Sequence, residues 1–204
     1  MSENAKNVEN RYRYLILSDL YRYTGSVRFK TLLKYIFISG TSFKYIFWLR
    51  IAFFSRTNFF LKILVYPFAR LILHHLKYRL GISMYPQTKI GSGFYIGHFC
   101  GIFISAECVI GKNCNVSQGV TIGRSNRGKY KGFPVIGDNV FIGPGAKIIG
   151  AIEIGNNVAI GANSVITKNI PNNAVVVGIP GKIISYNGSG AYVEFTDYDD
   201  KIIL

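Results

Sequence analysis

An isoleucine or valine, usually followed by glycine, recurs at six-residue intervals through the second half of the chain. The series runs Ile90, Ile96, Ile110, Val116, Ile122, Ile136, Ile142, Ile148, Ile154, Ile160 and Ile166. A period of six matches neither the roughly 3.6 residues of a helical turn nor the two-residue alternation of a strand. It matches a hexapeptide repeat, in which short strands turn a corner every six residues and wind into a parallel β-solenoid. One apolar side chain per repeat then points inward and stacks on its equivalent in the next coil. Glycine after it suits a corner, where close backbone approach excludes a Cβ.

The interruptions of the count are as informative as the count. After Ile96 the next repeat falls due at Ile102, yet the later register counts back to Ile104, so about two residues are inserted just after His98. From Ile122 to Ile136 the step is fourteen where two repeats take twelve, and residues 124–132, RSNRGKYKG, have turn-loop composition with four cations. Solenoids confine insertions to loops on one face, often the binding face. The basic loop is therefore expected to wall a site beside His98.

Residues 1–80 differ in kind. Apolar residues come there at mixed spacings of three and four, as in Phe43, Ile46, Phe47, Ile51 and Phe54, which predicts helices. Breaks are expected at 24–26, 39–42, 55–58 and Gly81, with Pro67 bending or starting the last helix. Of the net charge of +14, this stretch carries +11, from 14 Lys and Arg against Glu3, Glu9 and Asp19, along with 18 of the 30 aromatic residues. Lysines and arginines at 44, 50, 56, 62 and 70 interrupt every apolar run, so no segment reaches the roughly 18–20 apolar residues of a membrane span. Two readings stand side by side: a helical cap packed on the solenoid and on neighbouring subunits, and a segment lying on an anionic membrane surface with snorkelling cations. Nucleic-acid binding is disfavoured, because no helix-turn-helix, RNA-recognition signature or Cys/His finger accompanies the charge. The polar, acid-bearing residues 1–10 do not read as a secretory signal, and a cytoplasmic location, at the inner face of the membrane if the helices bind it, is expected.

Cys100, Cys108 and Cys114 lack CxxC spacing and are expected to be buried, reduced thiols. His74 and His75 sit in a helical stretch and read as structural or interfacial. His98 stands past a repeat corner at the register break, and imidazole is the side chain best suited to general-base work near neutrality.

Residues 89–102, KIGSGFYIGHFCGI, with 115–123, NVSQGVTIG, 142–150, IGPGAKIIG, 161–171, GANSVITKNIP, and 177–183, VGIPGKI, resemble the hexapeptide-repeat acyltransferases. Within them the chain is similar to the serine acetyltransferase branch and its relatives that O-acetylate bacterial polysaccharides. The resemblance covers roughly residues 83–185. It implies a left-handed parallel β-helix with an N-terminal α-helical region, and a homotrimer that binds acetyl-CoA in the groove between neighbouring prisms. It also implies His98 as base for direct attack of a hydroxyl on the thioester, without a metal. Backbone N–H groups near Cys100-Gly101 and Gly123 are candidates for the oxyanion. Lys168 and Lys182 match positions lining the nucleotide end of coenzyme A, Ala162 and Thr167 match the pantetheine side, and Gly123 and Gly143 complete the expected cofactor set.

Departures from serine acetyltransferase shape the expected acceptor. Ser83 and Gly97 stand where that enzyme has aspartates, and Phe133 stands where it has a substrate-side histidine. Serine needs partners for its ammonium and carboxylate, and His98 needs an orienter: Glu107, a backbone carbonyl or a neighbouring subunit. The expectation is therefore O-acetylation of a surface polysaccharide or its lipid-linked precursor, with Ser83, Tyr85, Glu107, Gln118, Arg124 and Phe133 on the acceptor side. The alternatives are serine O-acetylation for cysteine biosynthesis and a non-catalytic binding module. A β-helix carbonic anhydrase is disfavoured, since zinc there needs three histidines and the repeat region has one. The chain is expected to divide into 1–80, helical and basic-aromatic, 81–185, the β-helix, and 186–204, an acidic tail.

Overall fold

The structure, a computed structural model, describes residues 3–39 and 42–202. Among the described residues five α-helices come first: α1 Glu3–Thr24, α2 Phe29–Leu33, α3 Phe43–Ser55, α4 Phe59–Leu64 and α5 Tyr66–Leu80, with one π-helical turn, Lys34–Ile38, following α2. Local signals set their ends. Asn58 caps α4 by accepting from the N–H groups of Phe60 and Leu61, Pro67 lies in the first turn of α5, and Gly81 ends α5 in the left-handed region at φ 62°. The break expected at 39–42 centres on residues 40 and 41, which lie outside the described residues.

The remainder is a left-handed β-helix of three parallel sheets. The first sheet contains β1 (Ile82–Ser83), β4 (Ile102–Ile104), β7 (Thr121–Gly123), β10 (Lys147–Ile149) and β13 (Val165–Ile166). The second contains β2 (Lys89–Ile90), β5 (Val109–Ile110), β8 (Val135–Ile136) and β11 (Glu153–Ile154). The third contains β3 (Tyr95–Ile96), β6 (Asn115–Val116), β9 (Phe141–Ile142), β12 (Ala159–Ile160) and β14 (Val175–Val177), and β15 (Lys182–Ser185) closes it antiparallel. Ile104, Ile122, Ile148 and Ile166 stack inside the prism with at most 1% exposure, so the six-residue rhythm is the core itself.

Register locates both interruptions. A regular coil takes 18 residues, as from Ile136 to its partner Ile154, whereas the first takes 20, from Ile90 to Ile110. The two extra residues fall at the corner between β3 and β4 that contains His98. The coil carrying the basic loop takes 26, from Ile110 to Ile136. Here the sequence count needs correcting: Ile122 and Ile136 lie on consecutive faces, where a step of six is normal. The excursion is therefore eight residues long instead of two, because the loop contributes no inward-pointing side chain.

At the corner between the second and third sheets, Asn113, Asn139, Asn157 and Asn173 all adopt positive φ, between 55° and 62°. Their side chains form a ladder in which each Nδ2 donates to the next Oδ1, at 2.9, 3.0 and 3.1 Å. Asparagine tolerates this backbone and fills the coil-to-coil hydrogen bond that glycine would leave open. Beside it the Asp138, Asn156 and Asn172 side chains each accept from the N–H one coil earlier, of Lys112, Asp138 and Asn156, at 2.7 Å.

The helical region caps the open edge of the first coil with side chains instead of backbone. Tyr45 Oη brackets Met84, accepting from its N–H at 3.0 Å and donating to its carbonyl at 3.2 Å. Arg50 donates to the Ile90 and Gly91 carbonyls at 2.8 and 2.6 Å. Ser18 Oγ accepts from Gly93 N–H at 3.0 Å, Asp19 from Phe94 N–H at 2.8 Å, and Tyr23 Oη brackets Ile96 at 3.0 and 2.9 Å. An unpaired strand edge is thereby closed to further pairing. Arg50 does not snorkel: it is buried and grips Asp19 through Nε at 2.8 Å and Nη2 at 3.1 Å. Desolvation pushes the Asp19 carboxyl up, and the Arg50 guanidinium and the Phe94 N–H oppose it.

Residues 186–202 form a strap that climbs the asparagine corner back toward the helices. Gly188 N–H donates to Asn173 O at 2.9 Å, Tyr192 stacks on Phe141 at 4.5 Å, and its carbonyl accepts from Asn115 Nδ2 at 2.7 Å. Arg22 Nε then donates to Glu194 O at 2.7 Å, and buried Tyr198 reaches Asn113 Oδ1 at 2.7 Å and Ser92 Oγ at 3.0 Å. Two of the four clustered acids face α1, Asp199 accepting from Tyr14 and Asp197 from Tyr21.

Candidate active site

His98 is exposed on the corner that joins β3 to β4. The corner leaves the helical region through Ile96, pinned by Tyr23, and returns where Leu80 and Gly81 accept from Cys100 N–H at 2.8 Å and Ile102 N–H at 3.0 Å. Between these anchors Cys100 is held at φ 94° and Gly101 at 71°. A non-glycine residue there stores strain on the order of 1–3 kcal/mol, of a kind concentrated at functional sites. The two inserted residues thus form a rigid outward bulge that presents the imidazole.

Backbone register shows what lies under it. Gly97 N–H donates to Val116 O, Ser117 N–H to Ile142 O, Gly143 N–H to Ile160 O and Gly161 N–H to Val176 O, so these residues form one column along the corner. The next column is Cys100, Gln118, Pro144 and Ala162, since Gly119 N–H donates to Cys100 O, Gly145 N–H to Gln118 O and Asn163 N–H to Pro144 O; His98 and Phe99 are the two residues inserted ahead of it. The structure therefore gathers His98, Gln118, Gly143 and Ala162 on one edge of the prism. Gln118 Oε1 is buried there without a hydrogen-bond partner, an acceptor left open on the His98 edge.

Glu107, Arg124, Phe133, Thr167 and Lys168 collect at a different corner, between the first and second sheets. The expectation that the basic loop lies beside His98 in the same chain fails for this reason. His98 precedes the first sheet along the coil and the loop follows it, so they border opposite margins of one face. Outward side chains on that face include Phe103, Thr121 and Lys147, whose Nζ donates to Gly119 O at 2.6 Å and Thr121 Oγ1 at 3.1 Å. The loop is tied at its base by the Ser125–Gly132 backbone pair, both bonds 3.0 Å, and by the Arg124 guanidinium 5.5 Å over the Phe133 ring.

Several expected roles change. Ser83 is 5% exposed in β1 against the helices, so its hydroxyl is withdrawn from an incoming acceptor, whereas Tyr85 is 39% exposed. Glu107 borders the far margin and does not orient His98 of its own chain. Cys100 N–H is occupied by Leu80 O and is lost as an oxyanion donor, and Gly123 lies within β7, not in a turn. Cys108 and Cys114 are buried, and burial pushes their thiols up to about 11 and about 12, but Cys100 is exposed. Lys168 and Lys182 are exposed near the last coil, and His74 and His75 are exposed on α5. Among the described residues, no group of three His, Cys, Asp or Glu could hold a metal ion. The edge-capping residues Ser18, Asp19, Arg22 and Tyr23, which fix the strand leading to His98, escaped the sequence reading; their only signal is polarity within or just after the apolar stretch Tyr14–Leu17 of α1.

Comparison with known proteins agrees with this geometry. The family described as bacterial transferase hexapeptide (six repeats) matches residues 133–168, and the hexapeptide repeat of succinyl-transferase matches residues 101–125. A serine acetyltransferase of Staphylococcus epidermidis is 45% identical over 123 residues, which are 60% of this chain and 58% of that protein. The chain thus spans less than two thirds of the length of that relative. The structure of Neisseria gonorrhoeae serine acetyltransferase in complex with serine superposes with TM-score 0.69 at 26% identity, covering 89% of this chain and 72% of that one. A serine acetyltransferase in complex with CoA superposes with TM-score 0.66 at 25% identity, covering 89% and 71%.

Proposed function

Since the chain belongs to the hexapeptide-repeat acyltransferase superfamily, on its serine acetyltransferase-like branch, we propose that it is an acetyl-CoA-dependent serine O-acetyltransferase. This corrects the carbohydrate acceptor expected from the sequence. The correction rests on relatives that are serine acetyltransferases at about 45% identity and on a similar structure that holds serine. The polysaccharide reading leaned on charged partners missing at positions 83, 97 and 133. Glu107 and Arg124, both already expected on the acceptor side, lie in successive coils of the corner that holds Phe133, a carboxylate and a cation suited to serine's ammonium and carboxylate.

The observation that carries the chemistry is the exposed His98 on a strained corner above an unpaired buried acceptor. In the proposed reaction the imidazole takes the proton of the serine hydroxyl as its Oγ attacks the thioester carbonyl. The C–S bond then breaks, the imidazolium returns the proton to the departing thiolate, and O-acetylserine and free coenzyme A leave. Gln118 Oε1 offers an acceptor for an amide N–H of the pantetheine arm, while Gly143 and Ala162 leave that edge low enough for the arm to lie along it. Lys182, at the last coil, supplies a point charge for its phosphates, and Lys168, on the loop margin, does so from a neighbouring copy that faces this edge.

His98 and the Glu107–Arg124 margin meet when the His98 edge of one copy faces the loop margin of the next, as in a cyclic trimer, which we include in the proposal together with a cytoplasmic location. The test is release of free thiol from acetyl-CoA by the purified chain. Release should require L-serine and disappear in His98→Ala; absence of serine-dependent thiol in the wild type overturns the reading.

A further inference from the structure

The outward faces of α4 and α5 are apolar where a water-facing helix is ordinarily polar. Phe59, Phe60, Ile63, Leu64, Phe68 and Leu71 are 55–72% exposed, while the opposite side of α5 buries Ala69, Leu73, Leu76 and Leu80 against the core. These six form one surface, because α4 runs into α5 through Val65 and the two helices pack on each other. A surface of that size on a water-soluble protein marks a docking site.

The charge around it selects the partner. Exposed Arg56, Lys62, Arg70 and Arg79 are interleaved with the apolar residues. From Asp19 to Glu107 the chain has no carboxylate, and Asp19 itself is buried on Arg50. A second copy of this face would set cation against cation. A nucleic acid could stack on the three phenylalanines but has no use for Ile63, Leu64 and Leu71, the other half of the face. Aromatic and aliphatic side chains that enter an apolar layer, ringed by cations that meet anions at its surface, match an anionic lipid bilayer. Among the described residues no helix is long and apolar enough to cross one, so the contact is interfacial. Lysine and arginine stems reach back to the headgroups while the rings insert.

We infer that the α4–α5 face docks the protein on an anionic membrane surface, with Phe60, Leu64, Phe68 and Leu71 inserted and Lys62 and Arg70 on the headgroups. The inference is independent of the acceptor proposed above, because none of these residues borders the His98 edge or the basic loop. The π-turn repeats the composition, with exposed Phe37 and Ile38 beside Lys34.

Flotation of the full chain with vesicles tests it. The wild type should float with phosphatidylcholine vesicles that contain phosphatidylglycerol and stay unbound with phosphatidylcholine alone. Lys62→Glu/Arg70→Glu and Leu64→Glu/Phe68→Glu should each lower the bound fraction by on the order of tenfold or more, and raised salt should weaken the wild type. All four side chains are exposed, so both variants should fold, and serine-dependent thiol release in solution should persist in each. Equal flotation with neutral vesicles, no flotation at all, or variants that bind like the wild type overturns the inference. So does a smaller assembly of Leu64→Glu/Phe68→Glu in vesicle-free sedimentation, which would assign the face to a contact between copies.

Discussion

At the scale of single residues, the proposed chemistry rests on one imidazole, that of His98. Replacing His98 by alanine should lower kcat by about 10²–10⁴-fold, the range for losing a general base, while sedimentation leaves the assembly unchanged. The cysteines make a separate prediction. Burial raises the Cys108 and Cys114 thiols to about 11 and about 12 from an ordinary 9.0. Above pH 9 the unfolded chain gives up protons that the folded chain keeps, so stability is intact below that pH and falls as pH climbs toward 12. Melting temperatures at about pH 8 and about pH 10.5 should show this fall, and a Cys108→Ala/Cys114→Ala variant should flatten part of it. The bulged corner that carries His98 was legible in the sequence because the count of six slips there. Cys100 was misjudged because nothing in composition reports that its corner bulges outward.

At the scale of elements, the join between helices and β-helix depends on Asp19 and Arg50. Arg50→Met leaves a buried carboxylate uncompensated and strips donors from the Ile90 and Gly91 carbonyls, so urea unfolding should show a loss of about 3–5 kcal/mol. Asp19→Asn combined with Arg50→Met should lose less than the sum of the two single changes, since the buried charge is gone. The strands were readable from isoleucine spacing, because one inward position per repeat must be apolar whatever surrounds it. The Asp19–Arg50 pair was not, since its members lie 31 residues apart on two helices and an arginine within an apolar run looks the same whether it snorkels or is clamped. The asparagine ladder left a signal that went unread: Gly111, Gly137 and Gly155 are each followed two residues later by asparagine.

At the scale of the whole molecule, the topology sets His98 and the basic loop on opposite margins of one face, and activity should therefore be shared between copies. Homogeneous His98→Ala and Arg124→Ala preparations should each be impaired. Unfolding and refolding them together should restore roughly a quarter of the sites, each built from one intact margin of either parent. Activity that does not rise on mixing would place the whole site within one chain. The eight-residue excursion was visible in the sequence as a stretched step, but the corner it leaves from was not, because spacing along a coil carries no label for the face.

The strap gives the array a property that stacked coils lack on their own. In a simple stack each coil senses only its neighbours, and the last can fray without the first being affected. Here residues 188–198 touch Asn173, Phe141, Asn115, Arg22 and Asn113 in turn, so the strap fastens the last coil to α1 and to the first coil. Loosening the final coil releases Tyr198 from Ser92 and Glu194 from Arg22, and with them the lining of α1, which holds the strand leading to His98. Opening at the far end is thus felt at the corner that carries His98, and the molecule is built less like a stack of plates than like a closed clasp.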